Sequence, residues 1–121
     1  MLKLASVALF ALLLLSPGVA RSEPQQMSLQ VIQYLIDYVA RSDSTFIRNG
    51  TSYTAKEAAA HLRSKYEYFK RDIQTPEDFI RLVGSKSEFS GNPYEVKTSS
   101  GQLLPSAEWL GRLLTDYRAK H

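Results

Sequence analysis

Glu57, His61 and Lys65 follow one another at intervals of four residues, a spacing that stacks them along one side of a helix. A carboxylate one turn before a histidine can orient and charge the imidazole, giving a general base that works near neutral pH. The competing reading is structural. Thr54 followed by Glu57 forms a capping box that would occupy the carboxylate, and His61 is then a boundary histidine bonded to a neighbour.

Two further groups carry usable side chains. Arg48-Asn49-Gly50 offers a guanidinium and an amide to an anionic or peptide ligand, although Asn-Gly is also what a tight hairpin turn demands, and Glu57 or Asp43 could pair with Arg48. Ser85-Lys86-Ser87 and Ser90-Gly91, just ahead of Tyr94, supply hydroxyls that either line a pocket or satisfy a loop. Neither a Gly-x-Ser-x-Gly elbow nor a Ser-x-x-Lys motif is present, so no serine is marked as a nucleophile. With no cysteine, and His121 at the terminus as the second histidine, the residue set argues against a transition-metal site and implies no cofactor. The candidate binding residues are therefore Arg48, Asn49, His61, Ser87, Ser90 and Tyr94, with no residue assigned to catalysis.

The elements that must position them follow from periodicity. Val31, Ile32, Leu35, Ile36 and Val39 recur at helical spacing, which predicts a helix over Ser28–Ser42. Thr45–Arg48 and Thr51–Thr54 flank Asn49-Gly50 and predict a hairpin with a type I′ turn. Ala58, Ala59, Leu62, Tyr66 and Phe69 share one face of a second helix from about Ala55 to Lys70, and the paired alanines predict a close approach to another backbone. Thr75-Pro76-Glu77-Asp78 opens a third helix with Phe79, Ile80 and Val83 inward and Gly84 as a left-handed C-cap. After a Ser85–Pro93 loop, Tyr94–Lys97 and Gln102–Leu104 predict a second hairpin. Trp109, Leu110, Leu113, Leu114 and Tyr117 define the last helix, with Lys120 and His121 fraying. The fold class is α+β: about four helices packed on a small antiparallel sheet built from two short hairpins.

Ahead of this domain, Lys3 precedes an apolar run from Leu4 to Leu15, closed by Ser16-Pro17-Gly18. That order is the plan of a cleavable signal peptide, residues 1–20, with Ala20 or Ser22 at the cut and Ala20 preferred. The run is shorter than the roughly 20 residues a membrane helix needs, so no stable membrane anchor is expected after cleavage. Residues 21–27 read as a flexible leader and 28–119 as one domain. Cleavage takes Lys3 away, one of 15 basic residues, and none of the 12 acidic ones, so the net charge falls from +3 to +2. A nearly balanced surface without a basic cluster argues against nucleic acid as partner. The lack of cysteine means that packing, not a disulfide, stabilises the exported chain.

The chain resembles the YfeK-like family of small exported bacterial proteins of unknown function. The resemblance is carried by Phe46-Ile47-Arg48-Asn49-Gly50, Tyr53, Glu57-Ala58, His61-Leu62-Arg63 and Lys65-Tyr66. It continues through Thr75 to Ile80, Ser85-Lys86-Ser87, Ser90-Gly91, Tyr94 and Trp109-Leu110, and so spans nearly the whole mature chain. It implies a periplasmic location and no established activity. Many members of the family carry cysteines where this chain has Ser44 and Thr98. The resemblance thus implies that these two residues are neighbours, with Cα atoms within about 7 Å.

The sequence leans away from an enzyme. The leading expectation is a small periplasmic binding or interaction module that recognises an envelope protein or peptide through the hairpin tip and the Ser85–Tyr94 loop. The alternative is a minor hydrolase or transferase using His61 with Glu57 and a loop serine. A structural protein without a specific ligand is the third reading, and the oligomeric state is open.

Overall fold

The computed structural model describes residues 25–121, so the expected signal peptide lies outside the described residues. Helix α1 covers residues 25–41 and thus takes in the last residues of the segment expected to be a leader. There follow β1 (Thr45–Arg48), β2 (Thr51–Tyr53), α2 (Ala55–Phe69) with a 3₁₀ turn at Lys70–Asp72, α3 (Pro76–Leu82), β3 (Glu95–Lys97), β4 (Leu103–Pro105) and α4 (Ser106–Lys120). The fold is α+β, with four helices on a four-stranded antiparallel sheet made of two hairpins.

The local chemistry explains most of these boundaries. Asn49 and Gly50 both have positive φ, 51° and 79°, as the two central residues of a type I′ turn require. The Thr54 hydroxyl accepts from the Glu57 N–H while the Glu57 carboxylate accepts from the Thr54 N–H, and Thr75 and Asp78 repeat the arrangement at the start of α3. Pro76 sits in the first turn of α3, where its missing N–H costs nothing.

Gly84 corrects the sequence reading. Its φ is not positive, and the helix is capped by Val83. A Cβ at Gly84 would lie 2.5 Å from Leu110 Cδ1, so the glycine is there to let α4 approach the end of α3. The C-terminus differs too, because α4 runs to Lys120 and the His121 ring stacks on Tyr117 instead of fraying.

The strand order is β2-β1-β3-β4. The register pairs Phe46 with Tyr53 on one side and Val96 on the other, and Val96 with Leu104. Tyr53, Phe46, Val96 and Leu104 therefore form one row across the sheet, and all but Tyr53 are buried. Because side chains alternate along a strand, Ser52, Lys97, Leu103 and Pro105 belong to the opposite face, and they are exposed.

The helices cover the buried row. α2 lies against β1 and α4 against β3 and β4. α1 joins both helices: Tyr34 and Tyr38 meet Tyr117 and Trp109 of α4, and Asp37 accepts from Arg63 of α2. Ile32, Leu35, Val39, Ala59, Phe79, Val83 and Leu110 complete the core, and each large side chain buried there contributes roughly 1.5–3 kcal/mol before entropy is counted.

The same alternation fixes where the functional side chains point. Arg48 stands two residues beyond Phe46, and Tyr94 two before Val96, so both project onto the helix-covered face, where α2 meets them.

Candidate functional site

Arg48, His61, Lys65 and Tyr94 form one connected cluster at the end of the sheet. Arg48 Nη1 lies 3.1 Å from His61 Nδ1 and 3.3 Å from Nε2, while Arg48 Nη2 donates to the Tyr53 hydroxyl at 3.0 Å. His61 Nε2 is 3.0 Å from Tyr94 Oη. Lys65 Nζ donates to Tyr94 Oη at 3.2 Å and to the Lys86 carbonyl at 2.6 Å.

Arginine can only donate, so the His61 nitrogen that receives Arg48 carries a lone pair and the ring is neutral in this arrangement. Tyr94 Oη accepts from Lys65 and meets the ring at Nε2.

Electrostatics favour a neutral His61 and a protonated Tyr94 in this arrangement. Burial pushes the His61 pKa below its ordinary 6.5, and the charges of Arg48 and Lys65 push it further the same way. Burial lowers Lys65 from its ordinary value, with Glu88 opposing and Lys86 and Arg48 assisting. Burial likewise raises the Tyr94 hydroxyl, so it keeps its proton. The carboxylate nearest Lys65 is that of Glu88, at 3.9 Å and largely exposed, whereas the lysine side chain is 8% exposed. Arg48 is half-buried and has no carboxylate partner among the described residues.

The cluster separates two concavities. On one side is a cavity of about 230 Å³ whose floor is Val39, Phe46, Leu62 and Leu110, with Tyr53, Glu57 and Ala58 towards its mouth. On the other is an open groove of about 570 Å³ lined by Ser64, Tyr68, Phe69, Ser87, Glu88 and Phe89. Arg48, His61 and Tyr94 border both.

All six residues singled out from the sequence come together. Arg48, His61 and Tyr94 form the cluster itself. Asn49, Ser87 and Ser90 form a second knot beside it: Asn49 Nδ2 donates to Ser87 Oγ at 3.3 Å, and Ser90 Oγ donates to Asn49 Oδ1, which also accepts from Asn92 Nδ2 at 3.3 Å. The hairpin tip and the Ser85–Pro93 loop are therefore one surface.

Glu57 does not orient His61. Its carboxylate caps α2, and it pairs with neither His61 nor Arg48. Asp43 does not pair with Arg48 either, whose partners are His61 and Tyr53. Among the described residues no group of three His, Asp or Glu side chains is placed to hold a metal ion. Lys65 and Tyr53 belong to the site although the sequence reading did not select them. The signal for Lys65 was its place one turn beyond His61, and for Tyr53 its pairing position opposite Phe46 across a two-residue turn.

Residues 26–118 match a family described as a family of unknown function, DUF5329. The chain is 36% identical over 87 residues to a Salmonella typhimurium protein described as uncharacterized protein YfeK, and the aligned part covers 72% of each chain. No solved structure matches.

Proposed function

The chain belongs to the DUF5329 family, and from that premise we propose that it is a small periplasmic binding module, without a catalytic step, that captures an acidic group of an envelope protein or peptide. The observation that carries this reading is two cations on one His61–Tyr94 pair: the half-buried Arg48 guanidinium, with no carboxylate partner among the described residues, and the buried Lys65, whose nearest carboxylate is the largely exposed Glu88 at 3.9 Å. Holding two cations on one cluster costs free energy unless an anion offsets it, and Glu88, exposed and on the lysine alone, does so only in part. Arg48 spends one N–H of Nη1 on His61 and one of Nη2 on Tyr53, which leaves its other N–H groups to meet a carboxylate.

The absence of a catalytic step is supported by what surrounds His61. The ring faces an arginine and a tyrosine rather than a carboxylate, so nothing raises its basicity. Titrating the purified mature protein with acetate and with inorganic phosphate, while following the His61 ring signals by NMR, tests the reading. Binding is expected to raise the His61 pKa, because an anion offsets the repulsion from Arg48 and Lys65, and Arg48→Ala is expected to remove the response. A wild-type ring that neither anion moves would sink the proposal. Export is tested separately by osmotic shock of expressing cells. Recovery of a chain whose mass starts at Arg21 is expected.

A further inference from the structure

We infer that the anion taken at this cluster is the free C-terminal carboxylate of a peptide whose last side chain is apolar, and that the cavity behind Arg48 receives that side chain. The inference rests on the anion-binding reading above and adds to it the chemistry of the partner.

Three features of the molecule carry it. The first is the cavity itself. Its floor is formed by Val39, Phe46, Leu62 and Leu110, all buried and none able to hydrogen-bond through its side chain, with Ser106 as the buried polar residue beside them, so an apolar group gains most by entering. Its volume of about 230 Å³ suits one group of that kind. An apolar cavity of about 150 Å³ already accepts benzene, so a leucine, methionine or phenylalanine side chain is of the right scale.

The second is adjacency. Arg48, His61 and Tyr94 line the cavity wall and also face the open groove, so charge recognition and apolar burial meet at the same three residues. A C-terminal residue carries its carboxylate and its side chain on the same Cα. An internal aspartate or glutamate spends its side chain on the charge and would leave the cavity empty. A phosphate carries no apolar branch at all.

The third is the groove, which says where the rest of the peptide goes. Tyr68 and Phe89 are 81% and 98% exposed, large rings left open to solvent apart from the edge contact of Tyr68 with Phe69. They stand beside the buried Ser87 in the groove that leads away from the cluster. A chain leaving the carboxylate along this path would cover both rings. A small free acid would reach neither, which is why a peptide is the source favoured here.

The test uses the mature protein and four probes in calorimetric titrations: a hexapeptide ending Ala-Ala-Phe as the free acid, the same peptide as its C-terminal amide, a free acid ending Ala-Ala-Ser, and 3-phenylpropionate. The free acid ending in phenylalanine is expected to bind at least tenfold more tightly than each of the other three. Ala58→Met, which extends a side chain towards the cavity, is expected to erase the preference for phenylalanine over serine while the His61 ring still responds to acetate. Equal affinity for acid and amide would overturn the proposal, as would equal affinity for the phenylalanine and serine termini. Tight binding of 3-phenylpropionate would overturn it in favour of a small acid. If acetate moves the His61 ring but none of the peptides binds, the terminal-residue inference fails while the anion-binding reading stands. If neither acetate nor any peptide binds, both fail.

Discussion

Arg48 places Nη1 3.1 Å from Nδ1 of His61, so a side chain that is always a cation faces one whose protonation would make a second. The folded chain therefore resists a proton that the unfolded chain accepts near 6.5, with burial the larger cause and Arg48 and Lys65 adding to it. The unfolded state then binds more protons in this range, so the contribution of His61 to stability is complete above the unfolded value and is lost as pH falls through the folded one. Urea midpoints measured from neutral to mildly acidic pH are expected to drop in wild type and to drop less in His61→Gln. Parallel curves for the two proteins would contradict the assignment.

The close approach of Gly84 to Leu110 predicts overpacking. In Gly84→Ala the new methyl group meets Leu110 Cδ1 at 2.5 Å, and Leu110 is 1% exposed, so it has little room to yield. A loss of about 1–3 kcal/mol is expected. Leu110→Ala alone should cost about 2–5 kcal/mol, and the double variant less than the two losses combined, because the smaller side chain admits the methyl. Additive losses in denaturant melts would show that the two residues do not press on each other.

The first hairpin turn separates conformational cost from contact cost. Nothing lies within 4 Å of a Cβ built on Gly50, so Gly50→Ala should lose roughly 1 kcal/mol from its positive φ alone. Asn49→Ala loses its bonds to Ser87, Ser90 and Asn92 as well, and about 1–2 kcal/mol is expected. Amide hydrogen exchange distinguishes them. Exchange in the Ser85–Pro93 loop should quicken in the Asn49 variant and stay unchanged in the Gly50 variant.

The family resemblance implied that Ser44 and Thr98 are neighbours. The register pairs Thr45 with Lys97, which sets Ser44 and Thr98 one step further along the same two strands, and both line one surface depression. Ser44→Cys combined with Thr98→Cys is expected to oxidise in air to a disulfide and to add about 2–4 kcal/mol. Mass spectrometry showing two free thiols after oxidation would refute the placement.

What the sequence disclosed was chiefly local. Asn49-Gly50 specified its turn, and Thr54 and Thr75 specified their helix starts, because each motif satisfies backbone groups within a few residues. The grouping of Arg48, His61 and Tyr94 depends on β1 pairing with β3 across nearly fifty residues, which no short pattern encodes; the implied nearness of Ser44 and Thr98 was what pointed to it. Gly84 was misread for a related reason. A glycine at a helix end has the local form of a cap, and the contact that explains it comes from Leu110 on another helix. Lys65 was set in line with Glu57 and His61 but given no role, because the carbonyl that receives it, Lys86 O, belongs to a loop whose path is set by tertiary structure.

The two outer strands of the sheet limit how another molecule can engage this fold. β2 has only three residues, and β4 ends in Pro105, which lacks an N–H to offer. An incoming backbone would find few hydrogen-bonding groups on either margin, which disfavours recognition by strand addition. The same economy of edge disfavours edge-to-edge pairing between neighbouring copies.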